Sequence, residues 1–264
     1  MNPSSTLRLC EPAPKLDASW QELYEGAFPK GEREPVDKLE RMVSDGRILY
    51  HRTLDETGVL LCFTLVTLGK DFSFLAYMAT NPARRSGGIG SKHLSRLIEL
   101  LKVQYPHHSG LFLEIEATCP RNISLSSEDL ALRTRRKVFY ERVGARVMCE
   151  QGIYLTPSYT DRDKEWEGEL LGIEFAGRLC QDTLSRVMRS IYHQMYQLPP
   201  DHPMVAKVLK HYDECAVGCH PDHHVEDSVL QEEVREHDTV RSPFHRICEW
   251  LGNAFWAVVR RLLG

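Results

Sequence analysis

The chain has 264 residues, 42% hydrophobic and 27% charged, with a formal net charge of −4. That composition fits a globular protein with material for one or two domains and gives no support for general nucleic-acid binding. No stretch reaches the roughly 18 uncharged apolar residues that a bilayer-spanning helix needs, and the first residues lack the apolar core of a signal peptide. Cysteines at 10, 62, 119, 149, 180, 215, 219 and 248 are scattered, several in apolar runs. They read as reduced, buried thiols of a cytoplasmic chain rather than a disulfide framework.

In chain order, residues 6–10 form a short strand. Residues 17–28 form a helix with Asp17 as N-cap and Trp20, Leu23, Tyr24 and Phe28 on one face. Pro29-Lys30-Gly31 breaks it, and residues 34–43 form a second helix. Residues 47–54 and 58–68 are strands, with Asp55-Glu56-Thr57-Gly58 as a hairpin connection.

The informative stretch is 74–101. Phe74, Leu75, Tyr77 and Met78 make a strand that Asn81-Pro82 ends. Leu94, Leu97, Ile98 and Leu101 recur at helical spacing. Between them lies Arg85-Ser86-Gly87-Gly88-Ile89-Gly90, followed by Ser91. Glycines here let the backbone take positive φ and approach a ligand. The helix start behind them offers free N–H groups and a dipole that favours an anion. The combination suits a pyrophosphate. It matches neither the dinucleotide fingerprint nor the P-loop, whose glycine spacings differ.

Residues 110–117 alternate as a strand, placing Glu114 and Glu116 on one face. Loop residues run from 118 to 129. The next helix ends in Val138-Phe139-Tyr140-Glu141-Arg142-Val143-Gly144, with Gly144 as a natural C-terminal stop. Its Arg133, Arg135, Arg136 and Lys137 form a basic cluster. Residues 145–154 and 168–175 read as closing strands, 184–196 as an amphipathic helix and 203–211 as a shorter one. The His/Cys-rich run 211–224 lacks a standard metal-ligand spacing, and no metal is expected. Residues 225–242 read as a linker. Residues 244–263 form an amphipathic helix suited to a membrane surface or a protein partner.

Arg85-x-x-Gly-x-Gly, after a strand and before a helix, resembles the acetyl-CoA-binding motif of the GNAT superfamily of N-acetyltransferases. Tyr140-x-x-x-Gly144 resembles the tyrosine ending that follows in that family. The resemblance implies an α/β (α+β) fold over residues 1–178: a mixed central sheet, splayed in the middle, with helices on both faces. Residues 179–264 then form a helical extension. The implied reaction is direct acetyl transfer from acetyl-CoA to a primary amine. In that scheme Arg85, Ser86, Gly87, Gly88, Ile89, Gly90 and Ser91 hold the pyrophosphate. Met78, Ala79 and Thr80 pair with the pantetheine arm. Tyr140 protonates the departing thiolate. Glu114 or Glu116, directly or through a water, takes the amine proton. Arg133 stands where family members often carry asparagine, a departure in the cofactor contacts of that helix. The rival reading is a non-catalytic GNAT-like module that binds CoA or recruits partners through its terminal helix.

Overall fold

A single mixed sheet organises the chain, seen in a computed structural model that describes residues 7–84, 87–121, 123–149, 153–158, 164–175 and 181–218. Its strands are β1 (Arg8–Ala13), β2 (Ile48–Leu54), β3 (Leu60–Leu68), β4 (Ser73–Thr80), β5 (Gly110–Glu116), β6 (Arg146–Val147), β7 (Tyr154–Pro157) and β8 (Glu165–Glu174). They lie in the order β1-β2-β3-β4-β5-β8-β6, with β7 also on β8. Neighbours are antiparallel except β4 and β5, which run parallel. The helices are α1 (Ala18–Ala27), α2 (Val36–Ser44), α3 (Ile89–Gln104), α4 (Ser127–Glu141), α5 (Gln181–Gln194) and α6 (Pro203–Gly218).

Local chemistry sets several boundaries. Asp17 caps α1 by accepting from the Trp20 N–H at 2.9 Å. Ser126 caps α4 in the same way, accepting from Asp129 N–H at 3.1 Å. In the β2–β3 hairpin the Asp55 carboxylate takes the N–H groups of Thr57 and Val59, both at 2.9 Å.

Three apolar clusters cover the sheet. Trp20, Tyr24, Leu39 and Val43 bring α1 and α2 onto Tyr50, Phe63, Leu65 and Tyr77. Val187, Met188, Ile191 and Tyr192 of α5, with Val208 and Leu209 of α6, pack on Phe74, Phe112 and Leu170. Ala76 touches both clusters, so they share a face. Leu94, Leu97, Ile98 and Leu101 of α3 cover the opposite face against Val66, Leu75, Leu111, Leu113 and Leu171. Each such side chain contributes roughly 1.5–3 kcal/mol of burial. α5 and α6 therefore share a core with the sheet.

Three expectations need correction. Residues 145–154 do not form one strand: β6 and β7 are separate pieces that both pair with β8. The Met148 side chain explains part of this, because its Sδ lies 2.7 Å from where a Cβ on Gly172 would stand. The second correction is α6, which runs on to Gly218. The third concerns the thiols. Cys10 and Cys62 are free and buried and Cys119 is free and exposed, but Cys149 is disulfide-bonded. Among the described residues no helix is long and apolar enough to cross a membrane, and no group of His, Cys, Asp and Glu is placed to hold a metal. The terminal helix expected at 244–263 and most of the His/Cys run lie outside the described residues.

Candidate active site

The sheet opens between its two parallel strands. β4 and β5 pair only through Ser73 with Leu111 and Phe74 with Phe112. Just beyond, the register of β4 against β3 slips: Val66 faces Leu75 while Leu65 faces Tyr77, leaving Ala76 as an extra residue. A bulge bends its strand and sharpens the local twist, which carries β4 away from β5. Among the described residues, the β5-facing backbone edge of 75–80 is therefore without a strand partner. Met78, Ala79 and Thr80 all lie on this stretch, Ala79 toward the α1/α2 cluster and Met78 toward α3.

At the end of β4 the chain turns into α3 through two left-handed residues, Gly87 at φ 93° and Gly88 at φ 69°. A Cβ on either would meet nothing within 4 Å, so glycine is required there by conformation and not by space. Gly88 is the N-cap and no side chain caps the helix; its first bond is Lys92 N–H to the Gly88 carbonyl at 3.0 Å. The N–H groups of Ile89, Gly90 and Ser91 precede that bond and have no intrahelical partner. Arg85 and Ser86 lie outside the described residues. A Cβ on Gly90 would lie 3.1 Å from Thr80 Oγ1 and 3.6 Å from both Met78 Cε and Phe139 Cε2. The helix start, the end of β4 and α4 thus meet at one point.

Tyr140, next to Phe139, sits here. Burial pushes its phenol up to about 12; the Arg136 charge opposes that, and the Cys62 thiol adds to it. Thr80 Oγ1 donates to Cys62 Sγ at 3.6 Å, tying this corner to β3. Gly144 at φ 91° ends the helix just beyond.

The structure separates the two candidate carboxylates. Both point to the side of Phe112, while Leu111, Leu113 and Ile115 point to α3. Glu116 is ion-paired with Arg136 and its side chain is 39% exposed. Glu114 is partly buried as a residue, yet its Oε2 is shut off from solvent and has no hydrogen-bond partner. Burial raises its pKa, with the hydroxyls of Tyr196, Tyr154 and Thr156 pulling back. Tyr154 Oη is likewise buried without a partner. The hydroxyls of Tyr196, Tyr154 and Thr156 thus gather round the enclosed Glu114 carboxyl.

Three members of the basic cluster on α4 are held by partners on the sheet side. Arg133 Nη1 donates to the Ala117 carbonyl at 2.8 Å, Arg136 meets Glu116, and Lys137 Nζ reaches Glu169 Oε2 at 2.6 Å. Arg133 thus braces the end of β5.

Sequence reasoning missed four residues here. Glu32, in a short 3-10 turn after α1, has its carboxyl pKa raised by burial and by the charges of Glu116 and Glu114. Its only local signal was its place just after the Pro29-Lys30-Gly31 break. Thr156 and Tyr154 come from β7 and Tyr196 from just beyond α5, and only the helical stripe containing Tyr196 was visible in sequence.

No family model matches the chain, and no curated protein matches it. Solved structures do. A protein from Bacteroides thetaiotaomicron assigned to the GNAT family of acetyltransferases aligns with a TM-score of 0.54 at 22% identity, covering 68% of this chain and 90% of its own. The NAA60 protein of Arabidopsis thaliana in complex with acetyl-CoA aligns at 0.45 and 12% identity, over 66% of this chain and 100% of its own. The ribosomal-protein-S18-alanine N-acetyltransferase of Escherichia coli aligns at 0.42 and 18% identity, over 67% and 98%. At 22% identity the first likeness extends to the architecture. The bulged, parted strand pair and the glycine-led helix beside it belong to a chain with the fold of the GNAT N-acetyltransferases.

Proposed function

We propose that this chain is an acetyl-CoA-dependent N-acetyltransferase that moves the acetyl group directly to an amine. The observation that carries the reading is the opening between β4 and β5 after the Ala76 bulge, with the uncapped start of α3 at one end and Phe139, the chain neighbour of Tyr140, beside Gly90. The α3 N–H groups suit the pyrophosphate, and the free edge at Met78, Ala79 and Thr80 suits the amides of the pantetheine arm, which would lie there as an added strand.

Chemistry follows from that placement. The amine must lose a proton to become a nucleophile. Glu114 is a carboxylate of raised pKa with a free buried oxygen, so it is the better base, directly or through a water held with Tyr154. Glu116 is already committed to Arg136. The nitrogen then attacks the thioester carbon, forming C–N. Charge gathers on the oxygen, where an N–H of β4 can meet it. C–S breaks as the tetrahedral arrangement collapses. Tyr140, with its pKa pushed up to about 12, stays protonated throughout the working range. A thiol titrates near 8.5, so a phenol of that strength favours a strong hydrogen bond to the departing sulfur over complete proton transfer.

The test is thiol release from acetyl-CoA with a panel of primary amines, together with melting curves in CoA. Saturating CoA at about 100 Kd adds roughly 2.7 kcal/mol to the folded state. An unshifted melting temperature in CoA, or no amine-dependent thiol release, overturns the reading.

A further inference from the structure

α4 carries Tyr140, yet apolar packing anchors it weakly. None of its 15 residues is fully buried, and Phe139 and Tyr140 lie only half-buried against the α3 cluster. Polar bonds on its sheet side supply the rest: Arg133 meets the Ala117 carbonyl, Arg136 meets Glu116, and Lys137 Nζ donates to Glu169 Oε2 at 2.6 Å. The two ion pairs differ in weight. The side chains of Arg136 and Glu116 are 49% and 39% exposed, so water screens them. Those of Lys137 and Glu169 are 25% and 16% exposed.

Glu169 also reaches two elements at once. It stands opposite Ile115 in the antiparallel β5–β8 pair, close to the end of β5. Its Oε1 accepts from the Thr118 N–H at 2.7 Å and from the Thr118 hydroxyl at 2.6 Å, while Oε2 takes Lys137. One side chain thus joins the chain two residues past Glu116 to a point on α4 three residues before Tyr140. Positions i and i+3 are neighbours on a helix surface, so a shift at Lys137 carries Tyr140 with it. Burial works to raise the Glu169 carboxyl pKa, but the bonds to Lys137 and Thr118 outweigh it and hold it below its ordinary value.

Resting on the transferase reading above, we propose that Glu169 is a positioning residue for acetyl transfer, which through Thr118 and Lys137 fixes the spacing between Glu114 on β5 and Tyr140 on α4. Those two groups serve the amine proton and the departing sulfur of one event, so an error in their spacing costs rate rather than affinity. The start of α3 and the free edge of β4, which that reading gives to CoA, take no part in the Glu169 bonds.

The experiment measures thiol release by the full chain with a reactive primary amine, below the melting temperature of each variant. Glu169→Gln removes the charge that Lys137 meets, and Lys137→Met removes the cation. Each should lower kcat roughly 10–100-fold while KM for acetyl-CoA moves by less than about twofold. The double variant should lose no more than the worse single one, because both break the same unit. Lys137→Arg, which keeps the charge, should retain most of kcat, and Thr118→Val, which keeps the backbone N–H, part of it. A natural kcat in Glu169→Gln or Lys137→Met, a rise in KM for acetyl-CoA as large as the fall in kcat, or losses that multiply in the double variant overturns the proposal and leaves acetyl transfer standing. Thiol release absent from the natural chain with every amine sinks the transferase reading, and the proposal with it.

Discussion

Tyr77 holds Glu32 across the sheet: its hydroxyl donates to the Glu32 carbonyl at 3.1 Å and accepts from the Glu34 N–H two residues on. Tyr24 adds a bond to the Glu34 carbonyl at 3.1 Å and stacks edge-on against the Tyr77 ring at 5.0 Å. On the proposed function, the strand whose free edge would take the pantetheine arm also fixes the loop around Glu32. Tyr77→Phe keeps the ring packing and removes the hydroxyl, leaving the buried Glu34 N–H unpaired. The expected loss is about 1–3 kcal/mol of stability. KM for the amine should rise by a larger factor than KM for acetyl-CoA. Equal rises in both would show that the loop is not what Tyr77 positions.

Glu114 and Glu116 should behave differently when neutralised. Glu114→Gln removes a base and should lower kcat by about 10²–10³, within the usual range for general base catalysis. Because the folded carboxyl titrates above its ordinary value, the rate should climb with pH through that raised pKa in the natural chain. The acidic limb should vanish in the variant. Glu116→Gln breaks a half-exposed ion pair with Arg136, an interaction of roughly 0–1 kcal/mol, and should cost less than about tenfold. The reverse order of effects would reassign the base.

Gly88 and Gly90 need glycine for different reasons, and alanine separates them. Gly88→Ala meets no atoms but must hold φ 69°, at a cost of about 1–2 kcal/mol, and on the proposed function it shifts the α3 amides that would take the pyrophosphate. Gly90→Ala keeps ordinary helical backbone but brings a Cβ to 3.1 Å from Thr80 Oγ1 and 3.6 Å from Phe139. We expect Gly88→Ala to lower melting temperature and acetyl-CoA affinity together. Gly90→Ala should raise KM for acetyl-CoA with little loss of stability. Calorimetric titration with CoA beside melting curves reads both; unaltered CoA affinity in the two variants would remove this corner from the binding site.

What could be read in sequence was what is local. Asp17 as a cap, the glycine turn into α3 and the two-residue period of β5 each depend on neighbours within one turn or strand. The parting of β4 from β5 was available only through resemblance, because the Ala76 bulge depends on how β4 registers on β3. Choosing Glu114 over Glu116 required Tyr154 and Tyr196, which approach from far along the chain. The broken strand at 145–154 failed for a related reason. Its apolar residues fit one continuous strand, but β6 and β7 divide the same edge of β8, and Met148 fills the space over Gly172.

A buried histidine network predicts acid sensitivity of the fold. His93 of α3 is fully buried, with Nδ1 2.8 Å from Thr53 Oγ1, Nε2 3.0 Å from Thr64 Oγ1 and Cys10 Sγ 3.8 Å from Nε2. His51 on β2 is also buried, and its Nδ1 has no partner. Burial lowers His51 to about 4; burial, with the charge of His51 second, lowers His93 to about 3. An unfolded histidine titrates near 6.5, so as pH falls the unfolded chain takes up these protons first. The stability is complete above about pH 6.5 and drains away toward pH 4, at about 1.4 kcal/mol per pH unit for each histidine. Glu114, whose folded pKa is raised, acts with the opposite sign, but it is common to the natural chain and a histidine variant. Urea unfolding near pH 7 and near pH 5 should therefore show a smaller pH-dependent loss in His93→Gln than in the natural chain, by roughly one histidine's share. Identical losses in the two would mean that His93 is already protonated in the folded state, which its enclosure argues against.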